Sequence, residues 1–194
     1  MINFMPKNIR SFNRYELKYL LDDSAAKSIM EDLKKYMIID NHGKNGEYYL
    51  TSLYYDSDDL QFYWEKIEGI RFRRKLRIRL YESKEEVNAN TIVFVEIKQR
   101  LNRVTQKRRI ALPLSMAVKL CNGEMIEHGN SDSAIVNEVI HMVRTNKLKP
   151  RCITSYKRTA LNGTLNDPGL RVTFDKNLRF RRQDLDLGSK KLGK

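Results

Sequence analysis

The stretch IRFRRKLRIRLY, residues 70–81, decides how this chain is interpreted, because basic and apolar residues alternate along it. Side chains of a β-strand point alternately to the two faces of a sheet. One face therefore carries Phe72, Leu76, Ile78 and Leu80, and Arg74 is the exception on that side. The other face carries only basic residues: Arg71, Arg73, Lys75, Arg77 and Arg79. The stretch predicts a strand with one core face and one strongly basic face.

Other segments repeat this two-faced pattern. In FNRYELKYLL, residues 12–21, Arg14, Glu16 and Lys18 oppose an apolar set of Tyr15, Leu17, Tyr19 and Leu21. In TIVFVEIKQR, residues 91–100, Glu96 and Lys98 share a face. The later segments add Lys107, Arg109, Arg158, Arg171 and Asp175. An ordinary sheet with one solvated face would explain any single strand, but the shared excess of Arg and Lys favours basic faces that converge.

The remaining pattern predicts an α+β fold. Helices are expected over about 24–37, 57–67, 115–123 and 131–145, from apolar residues at helical spacing and from capping residues. Strands are expected over about 11–21, 47–56, 70–81, 91–100, 104–112, 151–161 and 169–176. We expect one domain over 1–194, an antiparallel β-barrel of about seven to eight strands with the helices packed outside. If such a sheet curls, its basic faces line one lumen.

The charge of the chain favours a polyanionic partner. Its 194 residues include 37 Lys and Arg against 24 Asp and Glu, a formal net charge of +13. Residues 71–109 and 144–182 each carry a net charge of +9. No apolar run approaches the roughly 20 residues of a membrane-spanning helix, and two cysteines form no disulfide framework. We expect a cytoplasmic protein without a membrane segment.

The sequence lacks the motifs of several common binding and catalytic sites. No GxxxxGK or GxGxxG loop is present, which argues against a Walker A site and a dinucleotide-binding fingerprint. The three histidines are scattered and neither cysteine has a neighbouring histidine, so zinc binding and a cysteine nucleophile have no support.

Two expectations follow from treating the basic faces as rows of like charge. Removal of Arg77 or Arg79 should cost little stability, because same-face neighbours repel each other. The rings of Phe72, Tyr15 and Tyr19 are out of phase with the basic residues. Bases of a single-stranded nucleic acid would then find few stacking partners, so we expect polyphosphate to be preferred over nucleic acid.

An ordered set of motifs resembles a known family: RYELKY at 14–19, SLYYD at 52–56, RKLRIRLY at 74–81, FVEIKQR at 94–100, KRR at 107–109, SYKRTAL at 155–161 and RVTFDKNLRF at 171–180. Together they resemble the VTC domain, the polyphosphate polymerase branch of the triphosphate tunnel metalloenzyme (CYTH-like) superfamily. The resemblance implies an eight-stranded tunnel that binds ATP or another triphosphate and polyphosphate. It also implies Mn²⁺ or Mg²⁺ as cofactor, and transfer of the ATP γ-phosphate to a growing chain.

The resemblance also implies roles for individual residues. Four are expected to be catalytic: Lys18, Arg77, Arg79 and Lys98. Five are expected to bind substrate phosphates: Lys75, Lys107, Arg109, Arg158 and Arg171. Glu16 and Glu96 are expected to hold the metal. Arg14 replaces the first glutamate of the ExExK signature, which favours the polymerase branch over the triphosphatases.

The resemblance further implies a last strand with an EIK-like motif, whose glutamate is a principal metal ligand, after the segment DLDLGSKKLGK. Because this sequence stops at Lys194, we expect a truncated chain or a tunnel that is open on one side.

Three functions stay open on the sequence. A polymerase needs no general base, because a terminal phosphate is already ionised near neutral pH. A tunnel-type triphosphatase must activate water, which would require Glu16 or Glu96 as the base. A non-catalytic module would bind polyphosphate, inositol phosphates or RNA through charge alone.

Overall fold

The computed structural model describes residues 11–41, 43, 46–81, 86–164, 167–191 and 193–194. Its strands are β1 (Ser11–Arg14), β2 (Met37–Ile39), β3 (Glu47–Asp56), β4 (Phe72–Tyr81), β5 (Ile92–Leu101), β6 (Val104–Pro113), β7 (Lys149–Gly163) and β8 (Arg171–Arg181). Its helices are α1 (Asp23–Leu33), α2 (Gln61–Ile67), α3 (Leu114–Cys121) and α4 (Ser133–Thr145), with a 3₁₀ turn at Asn130–Asp132.

All the strands belong to one antiparallel sheet. Its order is β1-β6-β5-β4-β3-β7, with β8 on the far edge of β7 and the short β2 continuing the line of β3. Between β1 and β8, no pairing joins the residues that are described, so the sheet forms a curled half-barrel. The predicted α+β class, the strand number and the antiparallel arrangement are confirmed.

The apolar faces of the central strands form the core, as the alternation predicted. Leu76, Ile78, Val93, Val95 and Ile97 are fully buried. Helices α3 and α4 cover them from outside with a matching apolar set: Ala117, Leu120, Val136, Val139 and Met142. Each such side chain contributes about 1.5–3 kcal/mol when removed from water, so this face holds the sheet against its helices.

The first strand is shorter than the sequence predicted. Strand β1 pairs with β6 only from Ser11↔Arg108 to Arg14↔Thr105. Because β6 begins at Val104, the chain runs out of a pairing partner just after Arg14. Residues 15–22 therefore cross the sheet as irregular structure, with exposed Tyr15 and Tyr19 side chains.

Helix α1 also differs from its predicted bounds. Asp22 caps it, because its carboxylate accepts a hydrogen bond from the Ala25 N–H at 2.8 Å. The helix ends at Leu33 rather than near residue 37, since Met37 pairs with Gly163 and begins β2. Met37 packs with Ala26, Leu161 and Phe174 in a second small core.

Candidate functional site

The side of the sheet opposite α3 and α4 carries most of the cations that were singled out from the sequence. We call this side the basic face; its members are Lys75, Arg77, Arg79, Lys98, Lys107, Arg109, Arg158 and Arg171. Cross-strand register confirms that they share a side: Lys75 lies opposite Lys98, which lies opposite Lys107. Arg158 lies opposite Tyr48 on β3, whose side chain is on the same side.

The basic face is concave. Arg79 reaches across β3 and donates a hydrogen bond to the Tyr156 hydroxyl on β7 at 2.9 Å. Glu16 feels the charges of both Lys98 on β5 and Arg158 on β7. Those strands are three positions apart, about 14 Å in a flat sheet, so Glu16 lies between them on this side of the sheet.

A buried carboxylate organises the centre of the basic face. Glu96 is 0% exposed, and its Oε2 accepts hydrogen bonds from Arg77 Nε and Nη2 at 2.8 and 2.6 Å. Lys107 Nζ lies 3.2 Å from Glu96 Oε1, and Arg79 Nη1 lies 3.9 Å from Oε2. Burial alone would raise the pKa of Glu96, but Arg77, Arg79 and Lys107 lower that pKa to about 2. One carboxylate thus holds three cations in place.

Hydroxyl groups orient the two central arginines. Arg77 Nη1 donates to the Tyr54 hydroxyl at 2.7 Å, and Arg79 Nε donates to Ser52 Oγ at 3.2 Å. Although burial opposes it, the charges of Arg77 and Arg79 lower the pKa of Tyr54. Both guanidinium groups are therefore fixed before any ligand arrives, which reduces the entropy lost on binding.

Lys75, Lys98 and Lys107 form a row across three neighbouring strands, which we call the lysine row. Directly opposite residues of an antiparallel pair lie about 4.5–5.5 Å apart at Cβ, so the three like-charged side chains start from neighbouring positions and repel one another. Burial lowers the pKa of all three, and that of Lys107 falls to about 8 although Glu96 opposes the shift. A bound polyanion would relieve this repulsion.

Glu16 lies at the edge of the lysine row. Lys98 Nζ is 2.6 Å from Glu16 Oε2, and Lys18 Nζ is 3.8 Å from Oε1. Burial opposes the shift, but Lys98 and then Lys18 lower the pKa of Glu16. The Glu16 side chain keeps 35% of its surface exposed and Lys18 keeps 77%, so both are accessible to a ligand.

The β7–β8 side of the basic face is paired residue by residue. Arg158 makes a two-pronged contact with Asp175, at 2.6 and 2.7 Å. Arg171 Nη2 donates to Asp40 Oδ2 at 2.6 Å and to the Tyr48 hydroxyl at 3.2 Å. Each of these arginines therefore has its own counter-charge.

The two expected metal ligands differ in how well they fit an ion. Both oxygens of Glu96 are occupied by Arg77 and Lys107, and three cations surround it, so this carboxylate does not fit a metal-ligand role. Glu16 is accessible and fits a cation that also binds phosphate oxygens, since Mg²⁺ typically takes one or two carboxylates plus phosphates. In the described ranges, no group of three or more His, Cys, Asp or Glu residues forms a protein-only metal site.

Two expectations from the sequence are corrected by this geometry. Arg77 and Arg79 are not an exposed repelling row, because Glu96 binds Arg77 and Arg79 is only 5% exposed. Their removal would leave a buried carboxylate less compensated, so low structural cost is no longer expected. Aromatic rings also share the basic face: Tyr81 continues the side of Arg77 and Arg79, and Phe94 lies opposite Arg79.

Part of what was missed could have been found in the sequence. Tyr81 has the same odd–even phase as Arg77 and Arg79, and Phe94 the same phase as Glu96, so alternation already placed both rings on this side. The contact of Tyr156 with Arg79 had no such signal, because it depends on curvature across an intervening strand.

Comparison with known proteins shows to which family the chain belongs. The sequence profile of the VTC domain matches residues 13–194. The chain belongs to the VTC-domain family. The resemblance inferred from the motifs is thereby confirmed.

Two similar proteins show how far the likeness extends. Over 155 residues, the chain is 25% identical to vacuolar transporter chaperone complex subunit 4 of Schizosaccharomyces pombe. That alignment takes in 70% of this chain and 21% of the relative, so the chain spans about a fifth of the relative's length. A crystal structure from Bacillus halodurans, provisionally named an adenylate cyclase, is 14% identical with a TM-score of 0.44 over 87% of this chain and 80% of its own.

Within the residues that the structure describes, no helix of this VTC domain is both long enough and apolar enough to cross a membrane.

Proposed function

We propose that this VTC domain is a metal-dependent phosphotransferase that moves the γ-phosphate of ATP onto a polyphosphate chain lying on the basic face. The observation that carries the proposal is the charge of the β4–β6 wall. Eight cations (Arg73, Lys75, Arg77, Arg79, Lys98, Arg100, Lys107 and Arg109) share that wall with one carboxylate, Glu96. Phosphate oxygens would supply the missing negative charge.

The described residues suit phosphoryl transfer, which needs mainly positioning and charge stabilisation. Arg77 and Arg79 are held by Glu96, Tyr54 and Ser52, and they would grip phosphate oxygens in fixed directions. Lys98 and Lys18 would act as mobile point charges. The acceptor is a terminal phosphate already ionised near neutral pH, so the site needs no general base.

Glu16 is the residue that we propose to hold Mn²⁺ or Mg²⁺ together with substrate phosphates. When bound, such an ion neutralises charge that develops on the transferred group. Since Lys98 contacts Glu16 at 2.6 Å, the ion would replace or share that contact.

Hydrolysis by a tunnel-type triphosphatase is less well supported. It requires a carboxylate that accepts a proton from water. Glu96 is enclosed, with a pKa of about 2, and the pKa of Glu16 is also lowered. Both carboxylates would therefore be weak bases at neutral pH, which favours transfer to an already ionised phosphate.

The partners that we propose are ATP or another triphosphate, and polyphosphate. Nucleic acid is not expected, because the part-exposed rings Tyr81 and Phe94 lie at one end of the basic face, and the Tyr54 ring in its middle already has Arg77 and Lys75 over it. A cytoplasmic location stays a prediction.

The decisive test incubates the 194-residue chain with ATP and Mn²⁺ and resolves the products by gel electrophoresis. We expect long polyphosphate from the unchanged chain and a loss of at least tenfold in Lys98→Met. Lys157→Met is the matched control, because Lys157 pairs with Glu47 on the outer side of β7; it should keep its activity.

The other outcomes separate the alternatives. Orthophosphate without polymer would mean a triphosphatase. Tripolyphosphate binding without turnover, measured by calorimetry, would mean a non-catalytic module. Absence of both binding and turnover would overturn the proposal.

A further inference from the structure

The basic face is not uniform along its strands. At the end of β4, Tyr81 packs edge-on against Phe94 with ring centroids 5.5 Å apart, and Tyr48 lies 5.9 Å from Tyr81. We call Tyr48, Tyr81 and Phe94 the aromatic end. The opposite end of the same strands carries Arg73 opposite Arg100, and we call this pair the cationic end.

Two of the three rings of the aromatic end are partly exposed on the basic face, those of Tyr81 and Phe94. Tyr48 is only 5% exposed and packs beside Tyr81. Arg109 places its guanidinium 4.5 Å above the Phe94 ring. In the described part of the chain no acidic side chain forms an ion pair with Arg109, and a guanidinium stacked on one ring can stack a second planar group on its other side.

On β4 and β5, the cationic end carries no aromatic residue on the basic face. Phe72 and Leu101 lie opposite each other at that end, but both belong to the helix-covered side of the sheet by alternation. Arg74 lies over the Phe72 ring on that outer side. In the middle of the basic face, the Tyr54 ring already has Arg77 and Lys75 over it, at 5.6 and 6.0 Å.

We propose that the aromatic end binds the nucleoside of a nucleoside triphosphate, with its base against Phe94, Tyr81 and Arg109. The triphosphate then runs toward Arg79 and Arg77. The polyphosphate chain continues over the lysine row and leaves past Arg73 and Arg100. This inference rests on the proposed function and adds a direction to it.

The register gives the spacing that this direction needs. Phe94 lies opposite Arg79, Glu96 opposite Arg77, and Lys98 opposite Lys75. Successive rows on one side of a strand are about 6.6 Å apart. From a base on Phe94, phosphates would therefore meet Arg79 and Arg77 first and the lysine row about 13 Å away.

The first test compares affinities for ATP and for tripolyphosphate by calorimetry at one stated salt concentration. Phe94→Leu keeps apolar volume but removes the ring, so ATP should bind about three- to tenfold more weakly. Tripolyphosphate should stay within twofold. Tyr81→Leu should shift the same ratio, and unchanged tripolyphosphate binding shows that each variant is folded.

Tyr49→Leu is the matched control. Tyr49 also has a cation near its ring, Lys157 at 5.9 Å, but it lies on the outer side of β3. Its ratio of ATP to tripolyphosphate affinity should not change.

A second measurement needs no variant. The unchanged chain should bind ATP at least threefold more tightly than ribose 5-triphosphate, which lacks the base. Equal affinities, or equal weakening of ATP and tripolyphosphate in Phe94→Leu, would overturn this inference while leaving the proposed function intact. Failure of the unchanged chain to bind either ligand would instead remove the proposed function.

The direction has its own test. The double variant Arg73→Met/Arg100→Met should weaken binding of long-chain polyphosphate about tenfold and leave ATP within twofold. An equal loss for both ligands would contradict an exit at the cationic end.

Discussion

The two walls of the basic face use arginine in opposite ways. On the β7–β8 wall, Arg158 and Arg171 each have a carboxylate of their own, Asp175 and Asp40. On the β4–β6 wall, Glu96 serves Arg77, Arg79 and Lys107 together. On the β7–β8 wall each of these arginines is neutralised by its own carboxylate, whereas the β4–β6 wall keeps a surplus of positive charge. We therefore expect a ligand's phosphates to bind mainly to the β4–β6 wall.

The difference also concerns burial. Glu96 is completely enclosed and Arg77 nearly so, whereas Arg158 and Asp175 keep 20% and 39% of their side chains exposed. Breaking a buried ion pair leaves an uncompensated charge in a poorly solvated place, but water replaces a lost partner at the surface. The same residue type should therefore differ in structural importance between the walls.

The largest effect should come from Arg77→Met compared with Arg158→Met. We expect the free energy of unfolding to fall by about 3–5 kcal/mol in Arg77→Met, because Glu96 loses its closest partner. Arg158→Met should cost about 1 kcal/mol or less, because its pair is partly solvated. Denaturant unfolding without ligand measures both.

A double variant distinguishes lost charge pairing from lost packing. Arg77→Met, Glu96→Gln and the double variant form a double-mutant cycle. Both single changes remove the same Arg77–Glu96 contact, so the cost of the double variant should be smaller than the sum of the two single costs. Additive costs would mean that Glu96 does not hold Arg77.

A somewhat smaller effect should appear at acid pH. The pKa of Glu96 is about 2 in the folded chain against an ordinary 4.5. Its contribution is therefore fully present above pH 4.5 and is lost as pH falls toward 2, by about 3 kcal/mol in total. Urea unfolding between pH 5 and 2.5 should show a weaker pH dependence in Glu96→Gln than in the unchanged chain. Equal slopes would argue against a strongly lowered pKa.

The smallest effect concerns ligand binding in mild alkali. Lys107, with a pKa of about 8, faces Glu96, Arg109 and Arg77. A bound polyanion favours the charged ammonium, so tripolyphosphate affinity should fall by up to about tenfold from pH 7 to 9. Lys107→Arg keeps its charge over this range and should flatten the profile. If the affinity of Lys107→Arg for tripolyphosphate falls with pH as steeply as that of the unchanged chain, then another group is responsible for the pH dependence.

The sequence predicted on which side of the sheet a residue lies better than it predicted which side chains that residue contacts. Alternation in IRFRRKLRIRLY placed Arg77 and Arg79 on one side, and the structure agrees. That Glu96 faces Arg77 depends on the register between β4 and β5. Alternation alone does not fix that register, because a shift of two residues keeps every side chain on its face. The role of Glu96 as a shared counter-charge was therefore missed, and it was instead expected to bind metal.

The end of the first strand shows a related limit. The alternating pattern continues to Leu21, but pairing stops at Arg14 because β6 has no residues left beyond Val104. An edge strand such as β1 can pair only as far as its single neighbour extends, whatever its own pattern. Tyr81 and Phe94, in contrast, have the same phase as the basic residues in the sequence, unlike Phe72, Tyr15 and Tyr19, so alternation alone predicts their side of the sheet.

Because of the lysine row, the stability of the folded chain should depend on the anions in solution. Any multivalent anion that binds it only in the folded chain stabilises that chain by RT ln(1 + [L]/Kd), about 2.7 kcal/mol at a hundredfold excess over Kd. The melting temperature should then climb with the logarithm of anion concentration. In phosphate or sulfate buffer the domain would therefore have a higher melting temperature than in chloride. The size of the increase would depend on how tightly the lysine row binds the anion.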